Sequence, residues 1–451
     1  MEIEDEQLSL LKLATQYIKK LENLGVDVAM SSFCYMNTNG VTPGNCKLKN
    51  LQLKKKFNLK YFFIIFKHLF LISTLHSFKI FNENNKKNFG NIYDKLIISW
   101  AIKKDFKEDG SFSDSKFGIN SKDHMSNLWF LIYLDELIPS KVDSNIIIFY
   151  KNKNKKKYNI YYLAKVIIKS ILRNKKSLFK ILHELSLQSH FAAIVTKIIK
   201  KIVISNDFKS VIMPYEAQPF QNKVFQEVKN INKKIKTIGY LVHTTPFPAH
   251  VIHRAGAPDI IFSHSYSEVI HLKNNLSWPQ KKLHLIPSLK FKNDKQILLD
   301  EKIFVPYSIM NKKIIIKEFE KLLQKQENNS LKPLKIRNHP YMSNSKNHKI
   351  FIKNLDNVIK RNASKFSQSS KKSLSIFFCE TYAVLEALER GVEVVHICSD
   401  PVFESYSEKL WSSIKVAQVS KYIFCYRLKE KGHCINFGTE EDSFNKYFNN
   451  I

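Results

Sequence analysis

Short continuous apolar runs alternate with segments of helical spacing over most of this chain. Runs at 95–100, 145–150, 210–213, 236–243 and 259–265 are short and rich in Ile, Val and Phe, as buried strands are. Runs at 302–306, 335–340, 375–378 and 392–397 repeat the pattern further on. Between them, apolar positions at helical spacing predict helices after the 214–220 loop through 226, over about 312–326 and around the acid Glu386 before Gly391, with a further one over 126–134 after an acidic loop. Strand alternating with helix predicts βαβ units and parallel sheets. Near the C-terminus, 411–419 and 444–448 read as helical, in a tail that packs back across a domain junction.

Two parts of the chain depart from that rhythm. Residues 1–90 read as a helical region apart from the rest: Leu8, Leu10, Leu11, Leu13, Ile18 and Leu21 broadly follow helical spacing, and 62–78 predicts a second helix. Residues 151–204 open with a lysine run and continue as basic amphipathic segments, which predicts a helical insertion. The fold class expected is therefore α/β, with two Rossmann-like domains facing across a cleft. The first domain spans 91–290 with its insertion at 151–204, and the second spans 295–451.

Composition narrows the picture little. A chain of 451 residues with 44% hydrophobic content can bury two cores. The N-terminus is acidic where a signal peptide needs cations, and Lys67, His68 and His76 interrupt the most apolar window, at 61–78. Six cysteines without a C-x-x-C pair suggest a reducing, cytoplasmic setting. The net charge of +32 suits anionic substrates or peripheral contact with an anionic membrane. Nucleic acid is not expected, because no binding module accompanies the charge.

Ligand groups of a parallel sheet gather at the C-terminal ends of its strands. In the first half those ends carry Glu216, His243 and Thr244; in the second they carry Arg337, His339, Pro340, Thr381 and Glu386. Neither G-x-G-x-x-G nor a P-loop occurs among only 11 glycines, so a phosphate would be held by Arg337, His339 and backbone N–H groups near Thr381. No D-x-D triplet presents itself for a divalent ion. His250, His253 and His264 are spaced poorly for zinc. A carboxylate must take the proton of an attacking hydroxyl, and Asp109 is the first candidate and Glu216 the second.

The segment Glu386-Ala387-Leu388-Glu389-Arg390-Gly391-Val392-Glu393-Val394-Val395 is similar to the donor-domain pattern of GT-B glycosyltransferases of bacterial surface-carbohydrate biosynthesis. Glu108-Asp109-Gly110 and His339-Pro340 resemble the acidic D/E-D-G and His-Pro motifs of bacterial sialyltransferases and polysialyltransferases. Capsule transferases for Kdo are similar in their His-Pro turn. The resemblance implies a glycosyltransferase, inverting and metal-independent, that moves a sugar from a nucleotide donor to a glycan or lipid-linked glycan hydroxyl. It implies CMP-sialic acid or CMP-Kdo as donor, with Asp109 as base, the His on the donor phosphate, and no resident cofactor. Cys379-Glu380-Thr381 stands where the sialyltransferases carry Ser-Ser or Ser-Thr. His243 and Thr244 are candidates for holding the acceptor. Two other readings compete: a sugar-nucleotide epimerase of the same shape, using Glu216, His243 and His339, and a non-enzymatic basic scaffold on a membrane surface.

Overall fold

The computed structural model describes residues 2–30, 72–81, 93–151, 159–173, 187–293, 301–339, 346–370 and 374–449, apart from positions 24, 26, 74, 76–77, 136, 243–244, 307–308 and 310. The turn expected at 40–44 and most of the helix expected over 62–78 lie outside them. The strands are β1 (Phe78–Phe81), β2 (Lys95–Ala101), β3 (Ser113–Asp114), β4 (Ile119–Asn120), β5 (Asn127–Tyr133), β6 (Ile146–Lys151), β7 (Ser210–Pro214), β8 (Lys236–Leu241), β9 (Ile260–Ser263) and β10 (Leu283–Leu285). They continue with β11 (Ser288–Lys292), β12 (Lys302–Val305), β13 (Lys335–Asn338), β14 (Ser375–Phe378), β15 (Val394–Ile397), β16 (Ile414–Ser420), β17 (Ile423–Leu428) and β18 (Phe437–Gly438). The helices are α1 (Glu2–Asn23), α2 (Ile160–Arg173), α3 (Leu187–Ile204), α4 (Pro219–Ile231), α5 (Tyr266–Asn275), α6 (Lys312–Gln324), α7 (Lys346–Arg361), α8 (Ala383–Glu389), α9 (Pro401–Glu404) and α10 (Phe444–Phe448).

Two Rossmann-like α/β units result. The first carries an eight-stranded sheet in the order β1-β6-β5-β2-β7-β8-β9-β10, parallel except where β1 meets β6. The second carries a six-stranded sheet, β13-β12-β14-β15-β17-β16, whose first four strands are parallel. Between them, β11 pairs with β18. The α/β class and the two-unit organisation expected from the periodicity are what the chain adopts.

Four local expectations fail, each for a physical reason. The helix expected over 126–134 is β5, a central strand buried along its whole length. Leu128, Phe130 and Ile132 enter the core on one face, and Trp129, Leu131 and Tyr133 enter the other. A strand covered on both faces is apolar at every position, so it has no alternation to distinguish it from a buried helix. The stretch 411–419 turns at Trp411 and then runs as β16, antiparallel to β17. Residues 151–204 divide: α3 packs Ala192, Val195, Ile199 and Ile202 into the core as the crossover from β6 to β7, whereas none of the described side chains of α2 is buried. The N-terminal region is not apart. β1 extends the first sheet, and α1 packs Leu10, Leu11, Ala14, Ile18 and Leu21 into the core. In α1, Gln7 Nε2 donates to the carbonyls of Val402 and Ser405 in the second unit, each at 3.0 Å.

The units are sealed together. One apolar cluster joins Phe247, Trp278 and Phe291 of the first half to Phe377, Phe403 and Trp411 of the second. The Trp411 indole donates to the Pro246 carbonyl at 3.1 Å. The tail returns to the first unit through α10, where Phe444 meets Phe117 and Phe448 meets Phe262.

Candidate active site between the two sheets

The carboxyl ends of the two sheets meet. His264 follows β9, Tyr382 follows β14, and the His264 Nε2 stands 2.7 Å from the Tyr382 hydroxyl. Phe291 of β11 stacks on Tyr382 at 5.6 Å and lies edge-on to His264 at 5.8 Å. Burial, with the charge of Lys290 second, pushes the His264 imidazole down to about 3, so it is neutral at ordinary pH.

Each sheet contributes a strained turn to this seam. After β7, Ala217 takes a φ of 50°, and after β14 Cys379 takes 51°. Left-handed backbone is costly for residues with a Cβ, and such strain persists only where the surroundings enforce it. Here a basic side chain pins each carbonyl. The Arg254 guanidinium donates to Ala217 O at 2.7 Å, and His396 Nε2 lies 2.5 Å from Cys379 O.

Beside each pinned residue is a carboxylate. Glu216 precedes Ala217; burial raises its pKa, opposed first by the hydrogen bond from Gln218 Nε2 (2.7 Å) and then by the charges of Lys116 and Lys290. Glu380 follows Cys379, and burial together with the neighbouring Glu404 pushes it up to about 8. Glu404, itself pushed up to about 7 by burial, accepts from the backbone N–H of Ser399 at 2.5 Å and of Asp400 at 3.0 Å.

The expected donor residues divide between the seam and the scaffold. His339 follows β13, its backbone N–H donating to Val305 O at 3.0 Å, and burial followed by the Lys290 charge lowers its pKa. Arg337 lies on exposed edge strand β13 with its guanidinium 5.4 Å over the Phe304 ring. Thr381 Oγ1 accepts from the Ala383 N–H at 3.3 Å, just ahead of α8. Glu386 is buried and pairs with Arg390 at 3.3 Å, and Arg390 in turn reaches the Lys292 carbonyl of β11. The other acid of α8, Glu389, accepts from the N–H groups of Gly432, Cys434 and Ile435, so it holds a loop in place. Pro340, His243 and Thr244 lie outside the described residues.

Asp109 does not join this group. Its side chain is 48% exposed; it accepts from Ser111 and pairs with Lys122 at 2.8 Å, a partnership that holds it well below the usual carboxylate range. Its turn leans on the entry to β6, where Gly110 O accepts from the Asp143 N–H. The acid of the same loop that turns inward is Asp114, buried and bonded to Ser99 Oγ and to the N–H groups of Lys116 and Phe117. Sequence reasoning missed Asp114, Lys116, Lys290 and Tyr382, and it weighed His264 only as a zinc ligand. The one signal was the polar exit of β9, since the others gain meaning only through the contact between sheets.

His250, His253 and His264 do not converge: His253 packs on Trp278, and among the described residues no group of three His, Cys, Asp or Glu side chains could hold a metal ion. An open groove of ≈840 Å³ between α6 and α7, lined by Lys312, Ile316 and Phe351, contains none of the seam residues.

No protein family and no curated protein matches the chain. A solved structure of an alpha,alpha-trehalose 6-phosphate synthase from Burkholderia multivorans aligns with a TM-score of 0.33 and 11% identity, over 62% of this chain and 70% of that one. A likeness of that size adds nothing to the topology already described.

Proposed function

We propose that the protein is a GT-B glycosyltransferase whose site is the seam between the two sheets. The observation that carries the reading is the meeting of the two carboxyl edges at His264 and Tyr382, with Glu216 on one wall and His339 in reach of the same Lys290 charge on the other. Ligands of open α/β sheets bind outside those edges. The first unit is then the acceptor domain and the second the donor domain.

In this reading Glu216 takes the proton of the acceptor hydroxyl as that oxygen bonds to the anomeric carbon. The bond from that carbon to the donor phosphate breaks, and the nucleotide leaves with the electron pair. A carboxyl raised by burial is closer in basicity to such a task than one held low by a lysine, which favours Glu216 over Asp109. Arg337 and His339, with Pro340, Thr381 and Glu386 around them, receive the departing phosphate, and His243 and Thr244 hold the acceptor. Side chains supply the charge stabilisation, so the reaction is metal-independent; direct attack makes it inverting. A CMP-linked sialic acid or Kdo is the donor, and the product belongs to a capsule or O-antigen type of surface polysaccharide.

Among the described residues no helix is long and apolar enough to cross a membrane. Contact with an anionic membrane is proposed through α2, which leaves Ile160, Tyr161, Ile168, Ile171 and Leu172 exposed beside Lys165 and Lys169 and carries no acid. Thermal unfolding with CMP, UMP, UDP and GDP tests the site. Stabilisation by CMP that is lost in His339→Ala and kept in Glu216→Gln supports it, and no response to any nucleotide sinks it. Binding to phosphatidylserine vesicles that is lost in Ile168→Asp supports the membrane contact.

A further inference from the structure

Two lysines reach the acceptor wall of the seam without an ion-paired carboxylate among the described residues. Lys116 lies in the loop pinned by Asp114, with its ammonium 3.4 Å from the Trp100 carbonyl and 5.7 Å over that indole. Lys290 lies on β11, its ammonium 4.8 Å over the Phe291 ring. Both are half-buried, and among the described residues neither pairs with a carboxylate.

The two are held near one another by the scaffold. A Cβ on Gly118 would stand 3.3 Å from Leu289 O, so the Lys116 loop rests directly on the strand that carries Lys290. Phe117 packs on Tyr240, and the Tyr240 hydroxyl accepts from the Leu289 N–H at 3.0 Å. Burial is the main cause that lowers the Lys290 pKa and the Lys116 charge is the next, while the carboxylates of Glu386, Glu216 and Asp114 oppose it without a direct ion pair. Two like charges kept together and partly desolvated cost stability unless something negative joins them.

We infer that Lys116 and Lys290 form a binding site for one oxyanion of the substrate, a carboxylate or a phosphate, beside Glu216. The inference rests on the glycosyltransferase reading for the word substrate, but the site itself does not. An anion bridging the two ammonium groups turns their repulsion into two charge-assisted hydrogen bonds. It would also fix the acceptor or sugar close to the carboxylate proposed to act on it. Both chemistries suit a pair of point charges, which impose no bidentate geometry.

Thermal unfolding of the full chain titrated with inorganic phosphate and, separately, with glucuronate tests the site. The variants are Lys290→Met, Lys116→Met, His339→Ala and, as an exposed control, Lys273→Met. The expected result is stabilisation by at least one anion, with affinity at least ten-fold weaker in both seam lysine variants, unchanged in Lys273→Met, and, for glucuronate, unchanged in His339→Ala. Ligand-free Lys290→Met is expected to melt no lower than the parent, since it loses a repelled charge. A response to phosphate alone identifies a phosphate group as the ligand, and one to glucuronate alone a carboxylate. Retention of the response in both lysine variants overturns the site, as does its loss in His339→Ala alone, or the absence of any response. A protein that binds phosphate here but answers to no nucleotide keeps the oxyanion site and loses the proposed function.

Discussion

The turn after β7 and the turn after β14 are built alike and end up chemically different. Each has a left-handed residue whose carbonyl is pinned by a basic side chain, and each sets a carboxylate next to it. Glu216 lies near Lys116 and Lys290, whereas Glu380 lies near a second acid, Glu404. Burial raises both carboxyls. The Gln218 amide and then the lysines pull Glu216 back towards ionisation, and Glu404 pushes Glu380 further from it. The first is thereby suited to exchanging a proton, and the second to remaining protonated and donating a hydrogen bond. The Asp109 turn is a third case: an exposed acid kept charged by one lysine and one serine.

The largest effect that sharpens this contrast is on turnover. Glu216→Gln is expected to lower the rate by about 10²–10⁴, the usual worth of a general base, while Asp109→Asn leaves it nearly unchanged. Equal losses in the two variants, measured on a CMP-sugar donor, would break the contrast. Next comes stability at a carboxylate fully used by the scaffold. Glu389→Ala leaves three backbone N–H groups of the 432–435 loop without an acceptor and is expected to cost roughly 3 kcal/mol by urea unfolding.

A smaller effect appears in pH dependence. The Glu380 pKa is raised in the folded state, so the folded chain binds the extra proton and stability declines as pH rises from 4.5 to about 8. Glu380→Gln is expected to remove that part of the decline. A slope in Tm against pH that is unchanged in the variant would show that Glu380 ionises freely. The smallest effect belongs to Asp109→Asn, whose shift in Tm should vanish at 1 M salt, where the screening length falls to roughly 3 Å.

Fold-level features were legible wherever the local pattern and the final environment agree. The apolar runs at 95–100, 210–213, 236–241 and 375–378 are strands because runs of that length, rich in branched and aromatic residues, suit a sheet covered on both sides. The same property hid β5, whose six apolar residues from Leu128 to Tyr133 carry no period. At the site, Glu216 and His339 were legible as polar residues at strand exits, and Asp109, the first candidate base by its E-D-G motif, sits in a half-exposed turn. Nothing local in 105–116 separates Asp109 from Asp114, yet one faces water and the other is buried against Ser99.

By itself, then, the sequence determined the α/β class, the two units, and a short roster of strand-end residues. These follow from periodicity and from the chemistry of strand exits, which act over a few residues. The tertiary structure decided which carboxylate is desolvated, which lysines come together at the seam, and that α1 belongs to the shared core. Those properties depend on burial and on charges brought together from positions such as 116, 216, 290 and 386. Their separation along the chain is too large for any local pattern to report.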